Sequence, residues 1–248
     1  MSIPKISIIT PVFNNEKDIV NCIRSVANQT YKNIEHIIID GGSKDRTVEL
    51  LKSYSEKYTH IIWISEKDNG IYDAMNKGID LSTGDYLLFL GSDDVFYYDT
   101  ILNEILEIKD ITSFDFIYGK ALFKTKNSIY GREVDLNILK TENISHQAIL
   151  YKKSIFDKLG KYGNTFKVSE DYIFNIKCFQ DDTILKKFVD KILVVFNDTA
   201  TSSFYRDGFL KYRLTYFDNL TFAEQIKKIY YYYRPDWFIP SKWFRINK

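Results

Sequence analysis

The chain has 248 residues, 45% of them hydrophobic, which suffices for one large α/β domain with a sizeable core. Its 34 basic and 33 acidic residues give a formal net charge of +1, so charge offers no argument for nucleic-acid binding. Cys22 and Cys178 lie far apart and are expected to be free thiols in a reducing compartment. There is no secretory signal pattern and no apolar run near the roughly 18 residues that span a bilayer. We expect an intracellular protein, soluble or peripheral.

Apolar strand patterns alternate with helical patterns over the first part of the chain. Strands are predicted at 5–13, 34–40, 60–65 and 85–90, and helices at 16–28, 46–58 and 70–81. This alternation predicts right-handed βαβ units, and therefore an α/β fold with a Rossmann-like, mostly parallel sheet and flanking helices.

After residue 95 the pattern is less regular. We predict a short helix near 99–108, hairpin-like strands near 115–131, a strand and short helix within 145–160, a helix at 169–180 and a strand at 192–196. Residues from 204 onward are aromatic and basic. One domain with a C-terminal extension is the simplest interpretation.

Acidic side chains follow the predicted strands. The strand ends carry Thr10-Pro11, Asp40 to Ser43, Ser65 to Asp68, and Ser92-Asp93-Asp94. Ligands bind at this edge of an open parallel sheet. Helix caps and turns explain single residues of this kind. Several carboxylates at neighbouring strand ends repel one another, however, and a positive charge has to balance that repulsion. Carboxylates suit Mg²⁺ or Mn²⁺, and we predict a metal at the Asp93-Asp94 pair.

Several common catalytic motifs are absent. The sequence lacks GxGxxG, GxxxxGK[ST], GxSxG and HExxH, and its histidines at 36, 60 and 146 are too scattered to indicate zinc. These absences argue against dinucleotide-binding dehydrogenases, P-loop kinases, elbow-type hydrolases and zincins. Acidic residues with a metal, and no phosphate loop, favour nucleotide-sugar or nucleotidyl chemistry.

Longer stretches resemble a known family: "ISIITPVFNNEKDIVNCIRSVANQTYKNIEHIIIDGGSKDRT", "SEKDNGIYDAMNKGIDLSTGDYLLFLGSDD" and "SEDYIF". They resemble the family 2 inverting glycosyltransferases, which have the A-type glycosyltransferase fold. "SHQAILY" is similar to bacterial members that build surface polysaccharide. The resemblance covers roughly residues 4–200. It implies a glycosyltransferase domain at 1–203, with a nucleotide-binding half at 1–95 and an acceptor-side half at 96–203, and an extension at 204–248.

The resemblance also implies an activity. A sugar would pass from a nucleotide-sugar, a UDP-sugar in the first place, to a hydroxyl of a glycan or lipid-linked saccharide. The setting would be capsule, O-antigen or other lipopolysaccharide synthesis, in the cytoplasm or at the inner face of its membrane. Mn²⁺ or Mg²⁺ would be the cofactor, and nucleic acid would not be a partner.

Residue roles follow where positions match the family's motifs. Asp40 resembles the acceptor of a uracil hydrogen bond, Asp68 a further acid beside the nucleotide, and Asp93 and Asp94 the metal motif, with Ser92 where that motif has its first aspartate. Asp94 is implied as the metal ligand and Asp93 as a neighbour of the ribose. The first-strand segment that lines the base pocket corresponds to Thr10, Pro11 and Phe13.

Asp171 resembles the catalytic base, with Glu170 as the fallback; the structural alternative is a carboxylate favoured by the start of a helix. Lys77 is a candidate for phosphate or sugar contact, or a solvated helix residue. His146 is a candidate pocket residue, although a lone histidine is more often structural. All of these roles are expectations from the sequence.

Two other functions stay open on the sequence. A nucleotidyltransferase would also use paired acids and a metal, but would normally carry a glycine-rich, basic loop where this chain has "TPVFNNEKD". An inactive carbohydrate-binding or scaffold protein would not need both Asp94 and Asp171.

The segment 227–248 combines six Lys or Arg with one Asp and eight aromatics. Tyr and Trp favour the lipid headgroup region and basic side chains favour anionic membranes. We therefore predict a peripheral contact with an anionic membrane; the alternative is a tail packed on the core.

Overall fold

The structure is a computed structural model that describes residues 3–199, 209, 213–217, 220–221, 223–225 and 227–228. The strands are β1 (Ile6–Val12), β2 (Ile34–Asp40), β3 (Ile61–Ser65), β4 (Tyr86–Phe89), β5 (Val95–Phe96), β6 (Phe116–Phe123), β7 (Ser128–Tyr130), β8 (Ile149–Lys152) and β9 (Lys186–Phe196). The helices are α1 (Ile19–Ala27), α2 (Thr47–Lys57), α3 (Ile71–Leu81), α4 (Ile101–Leu106), α5 (Leu136–Leu139), α6 (Ser154–Leu159) and α7 (Glu170–Gln180). Short 3₁₀ turns lie at Ile111–Ser113, His146–Ala148 and Arg213–Tyr216.

The strands of the described residues form one sheet in the order β3-β2-β1-β4-β8-β6-β9-β5, with β7 paired to β6. β1 is parallel to β2 and β4, and β2 is parallel to β3, which confirms the predicted βαβ half. The second half is mixed. β8 runs antiparallel to β4 and β6, while β6 and β9 are parallel. β6 and β7 form the predicted hairpin, while the connections from β7 to β8 and from β8 to β9 contain α5, α6 and α7.

Both faces of β1 and β2 are buried because helices cover the sheet on two sides. Successive side chains point to opposite faces, so Ile9 packs with α3 on one face while Ile8 packs with α1 on the other. Gly78 of α3 lies against Ile9, and a Cβ there would lie 2.3 Å from Ile9 Cγ2. This close approach sets the position of α3 on the sheet.

Many of the aromatic residues are core residues. Phe89, Tyr151, Phe156, Tyr162 and Phe174 pack together on the face that carries α3 and α7, with neighbouring ring centroids 4.6–6.0 Å apart. Edge-to-face contacts of this kind add to the free energy gained from apolar burial. The cluster holds the start of α7 close to α3.

Element boundaries differ from the predictions by a few residues. The helix predicted from residue 16 begins at Ile19 after Asp18, and the third helix begins at Ile71 after Gly70 instead of Asn69. The last strand begins at Lys186, six residues before the predicted start at 192. Most of the extension 204–248 lies outside the described residues, so the domain division stays a prediction. No helix among the described residues is long and apolar enough to cross a bilayer.

Candidate functional site

The carboxyl ends of β1, β2 and β3 lie side by side. Val12 is opposite Asp40, and Asp40 is opposite Ser65, in the parallel register. Asn15, after β1, donates a hydrogen bond of 2.9 Å to Ser92 in the turn after β4. The acidic strand ends therefore share one edge of the sheet, as parallel topology requires.

Asp40 is fully buried and organises its own loop. Its Oδ2 accepts hydrogen bonds from the Gly42 and Ser43 amides, both at 3.1 Å, and from Ser65 Oγ at 2.6 Å. Its Oδ1 accepts one from Ser43 Oγ. Three of these bonds end on Oδ2 and one on Oδ1, so Oδ1 retains capacity to accept a further hydrogen bond.

The predicted base-pocket residues differ in their surroundings. Phe13 is 60% exposed, just beyond the end of β1. The side chain of Thr10 is buried, with its Oγ1 2.9 Å from His36 Nε2, and Pro11 is also buried. Thr10 therefore faces the core, and the exposed aromatic ring at this end of β1 is Phe13.

Asp68 lies over the start of the β2 loop. It is half-buried, and its Oδ1 accepts a 3.0 Å hydrogen bond from the Gly70 amide. A Cβ at Gly41 would lie 2.5 Å from Asp68 Oδ2. Because Gly41 has no side chain, the Asp68 carboxylate can pack against the loop after β2, which is the loop that hydrogen-bonds to Asp40.

Asp93 and Asp94 occupy the turn after β4, and Asp94 is 1% exposed. Asp94 accepts a 2.8 Å bond from the Asn197 amide and a 3.1 Å bond from Gln147 Nε2. The side chain of Asn197 donates to Asp93 Oδ2 at 3.1 Å. Asn197 follows β9 directly. The expectation that ligands bind at the carboxyl ends of strands, applied to the second half of the chain, would have found this residue.

The electrostatics of this pair fit a cation. Burial and the neighbouring Asp93 raise the pKa of Asp94 to about 6, against the opposing effects of Asn197, His146 and Gln147. Burial also raises the pKa of Asp93. The described residues contain no group of three or more His, Cys, Asp or Glu able to hold a metal alone. Mg²⁺ commonly takes one or two carboxylates and completes its shell with substrate phosphates and water, which this donor set allows.

Asp171 lies in the first turn of α7 and is 5% exposed. Tyr72 Oη donates to its Oδ1 at 2.6 Å, Asn143 Nδ2 donates to its Oδ2 at 2.9 Å, and His146 Nδ1 is 3.5 Å from Oδ2. Burial alone would raise the pKa of Asp171, but the bonds from His146, Tyr72 and Asn143 lower it overall. The carboxylate is therefore ionised at neutral pH.

His146 links the two acidic centres. It lines a small cavity of about 80 Å³ with Asp93, Asp94 and Gln147, and the opposite wall includes Tyr72. The same imidazole approaches Asp171. No local spacing predicts the contribution of Tyr72 or Asn143, because these partners lie 99 and 28 positions from Asp171.

The remaining candidates have other partners. Glu170 Oε1 accepts the Phe166 amide at 2.8 Å, and a Cβ at Gly163 would lie 2.5 Å from Glu170 Oε2, so this carboxylate faces the segment before α7. Lys77 Nζ is 2.8 Å from Glu66 and 3.4 Å from Asp73. The hydrogen bond to Glu66 raises the pKa of Lys77.

Comparison with known proteins identifies the family. The family model "Glycosyl transferase family 2" matches residues 7–160, more than half of the chain. The chain belongs to glycosyl transferase family 2. The predicted family and the predicted enzyme class, a glycosyltransferase, are confirmed.

Family 2 relatives share much of the sequence. A "PGL/p-HBAD biosynthesis glycosyltransferase" of Mycobacterium tuberculosis (strain ATCC 25177 / H37Ra) is 34% identical over 201 residues, covering 80% of this chain and 78% of that protein. "Glycosyltransferase GlyA" of Streptococcus pneumoniae serotype 4 is 32% identical over 196 residues, covering 71% of this chain and 28% of that protein.

Solved structures confirm the A-type fold. S. aureus TarS 1–349 in complex with UDP-GlcNAc aligns with a TM-score of 0.71 at 18% identity, covering 92% of this chain and 71% of that one. The mannosyltransferase PcManGT from Pyrobaculum calidifontis, in complex with GDP-Man and Mn²⁺, aligns with a TM-score of 0.66 at 14% identity. The alignment covers 93% of this chain and 69% of that one. At sequence identities this low, the similarity to these structures shows a shared fold.

Proposed function

We propose that this family 2 glycosyltransferase moves a sugar from a UDP-sugar to a hydroxyl of a glycan or lipid-linked saccharide, with inversion at the anomeric carbon. The observation that carries the proposal is the pairing of two acidic centres around His146. Asp93 and Asp94 line the small cavity beside His146, and Asp171 lies 3.5 Å from its Nδ1. Such a pair suits the two ends of a displacement, where one centre faces the leaving diphosphate and the other faces the attacking hydroxyl.

The nucleotide would lie across the ends of β3, β2 and β1. Phe13 offers an exposed ring for the base, and Asp40 and Asp68 offer acceptors for ring N–H and ribose hydroxyl groups. A uracil N–H would donate to Oδ1 of Asp40, which retains capacity to accept it beside the Ser43 hydroxyl. The TarS structure contains UDP-GlcNAc, which supports a UDP-sugar as the first donor to test.

Asp94, with Asp93 toward the ribose, would hold Mn²⁺ or Mg²⁺. When bound, a divalent cation offsets the negative charge that develops on the departing diphosphate. Burial raises the pKa of both carboxyls, and the charge of Asp93 raises the pKa of Asp94 further; a bound cation would offset both effects. The Mn²⁺ in the PcManGT complex supports the same choice of cation.

Asp171 would accept the proton of the acceptor hydroxyl as the anomeric bond to phosphate breaks. Its three partners keep the carboxylate ionised and fix its direction, and a positioned base contributes about 10²–10⁴-fold to such a step. Glu170 stays the fallback, although its observed bond to Phe166 points it at its own loop.

The proposed acceptor and the proposed cellular location are supported by the names of relatives and by the sequence composition. The mycobacterial relatives are named for PGL/p-HBAD biosynthesis, which supports a lipid-linked or glycolipid acceptor; the polysaccharide setting is proposed from the sequence resemblance alone. We propose a cytoplasmic enzyme that contacts the inner, anionic face of the membrane through the aromatic and basic segment 227–248.

The test is a donor screen that measures nucleoside diphosphate release from UDP-, GDP- and dTDP-sugars, with and without a lipid-linked saccharide. We expect release from a UDP-sugar that rises when acceptor is added. Release from GDP- or dTDP-sugars alone would overturn the UDP assignment. Absence of release from every donor, with and without acceptor, would favour an inactive scaffold protein.

A further inference from the structure

A cavity of about 740 Å³ lies beside the acidic site. One wall is the first part of α3 with the residues just before it, including Asn69, Tyr72 and Asp73. The other wall is the segment 162–168 before α7. Its volume falls in the range of about 300–1,000 Å³ that is usual for organic ligands.

This larger cavity adjoins the small one. Both are lined by Ile71, Tyr72 and Val168, so these three residues form a shared wall. Beyond that wall lie Asp94 and His146, and Tyr72 itself donates to Asp171. A molecule seated in the larger cavity could therefore extend one group across the shared wall to the point where the two acidic centres meet.

The outer wall is anchored at both ends. Asn76 holds residue 162 through two hydrogen bonds, from its Nδ2 to the Tyr162 carbonyl at 2.9 Å and from the Tyr162 amide to its Oδ1 at 3.1 Å. Glu170 accepts the Phe166 amide and packs on Gly163, where any Cβ would collide with it. Between these anchors, Asn164 and Thr165 are exposed. The position of this wall is thus fixed by specific polar side chains, Asn76 on α3 and Glu170 on α7.

The lining matches the chemistry of a sugar. Tyr72, Tyr162 and Phe166 provide apolar ring surface, while Asn69, Asp73 and Asn164 provide amide and carboxylate groups. A pyranose presents C–H faces to the first kind of surface and hydroxyl groups to the second. The charged residues of the lining are Asp73 and Lys167, one of each sign, and Asp73 also pairs with Lys77. A lining with opposite charges that balance suits a neutral ligand that carries many hydroxyl groups.

We infer that this cavity binds the acceptor saccharide. The inference rests on the proposed function and deepens it by naming the acceptor's site and class, a neutral glycoside. The predicted nucleotide residues Phe13, Asp40 and Asp68 do not line the cavity. The cavity is therefore separate from these nucleotide residues, and an in-line displacement requires the acceptor to bind apart from the leaving diphosphate.

The test uses the full chain and two neighbouring substitutions. Asn164→Trp places a large ring in the cavity, and Thr165→Trp is the matched control because Thr165 is exposed but does not line it. The probes are p-nitrophenyl α- and β-hexopyranosides and their N-acetylamino forms, measured by saturation-transfer NMR with UDP present. Calorimetry measures UDP affinity, and circular dichroism checks the fold.

We expect the wild-type protein and Thr165→Trp to bind at least one glycoside, and Asn164→Trp to weaken that binding by about 10-fold or more while UDP affinity holds. Wild-type glycoside affinity in Asn164→Trp would overturn the inference, as would the absence of any glycoside binding by a protein that binds UDP. Loss of UDP affinity in Asn164→Trp would assign the cavity to the donor instead. Absence of UDP binding in the wild type is a different result, since it contradicts the proposed function.

Discussion

The Tyr72 hydroxyl donates a 2.6 Å hydrogen bond to Asp171 Oδ1 and so joins α3 to the first turn of α7. The two residues are 99 positions apart and belong to the two halves of the chain. Because Gly78 seats α3 tightly on Ile9, the direction of the Asp171 carboxylate depends on how the parallel half is packed.

Tyr72→Phe removes this bond and keeps the ring. The bond stabilises the ionised carboxylate, so its loss raises the pKa of Asp171 and moves the acid limb of the kcat/KM profile to higher pH. A hydrogen bond to a charged group is worth about 1.5–3 kcal/mol, so we expect the acid limb to move by about one to two pH units, with a much smaller change of activity at neutral pH. Tyr54→Phe is the control, because Tyr54 is a half-buried tyrosine of α2 whose hydroxyl accepts a hydrogen bond from Arg24 instead of donating to Asp171. An unchanged pH profile in Tyr72→Phe would show that the bond does not tune the base.

Asp171→Asn retains the size of the side chain and removes its basicity. We expect transfer to fall by at least ~10²-fold, with UDP affinity barely changed. NMR of the product should show an inverted anomeric centre; retention would rule out a single displacement. Near-normal turnover in Asp171→Asn would mean that Glu170 or another group accepts the proton.

Chelation tests the metal assignment. We expect EDTA to abolish transfer and Mn²⁺ or Mg²⁺ to restore it, because burial and the neighbouring charge of Asp93 both disfavour the ionised form of Asp94 in the absence of a cation. Asp94→Ala should weaken both UDP binding and activity. The control is Asp80→Asn, since Asp80 is an exposed partner of Lys161. Full activity in EDTA would contradict a metal role.

Glu35 should contribute stability that depends on pH. It is buried on β2 and accepts bonds from Lys5 Nζ at 2.6 Å, Ser7 Oγ at 2.5 Å and the Thr83 amide at 2.6 Å. Burial alone would raise its pKa, but these donors lower the pKa from 4.5 to about 2. A depressed pKa stabilises the fold above the unfolded-state pKa, and that contribution is lost as pH falls from 4.5 toward about 2.

Glu35→Gln should therefore lower the free energy of unfolding by about 1–3 kcal/mol at pH 7, with a smaller difference from wild type at acidic pH. Urea unfolding measures both values. Glu49→Gln, at an exposed ion pair with Arg46, should change stability by less than about 0.5 kcal/mol. A difference that stays constant as pH falls would show that the charge of Glu35 is not the source.

Removal of residues 227–248 tests the membrane contact; of these, 229–248 lie outside the described residues. We expect the folded truncation to bind anionic liposomes less tightly and to transfer less sugar to a lipid-linked acceptor, while donor hydrolysis continues. High salt should weaken binding of the intact chain, because it screens the basic side chains. Equal liposome binding by both proteins would show that the segment does not carry the contact.

Local patterns in the sequence sufficed for the parallel half. The alternation of apolar strands and amphipathic helices depends on residues close in the chain, and parallel topology then brings the residues that follow each strand to one edge. Asp40, Asp68, Asp93 and Asp94 could be chosen on that basis, and a local pattern also predicted the helix whose first turn carries Asp171.

The partners of those residues were decided only by tertiary structure. Tyr72, Asn143 and His146 meet Asp171, and Gln147 and Asn197 meet Asp94, because helices and strands from both halves pack against each other. The mixed strand directions of the second half and the cavity between α3 and residues 162–168 have the same origin. Periodicity reports which face of an element is buried, whereas these contacts depend on which faces the connections bring together.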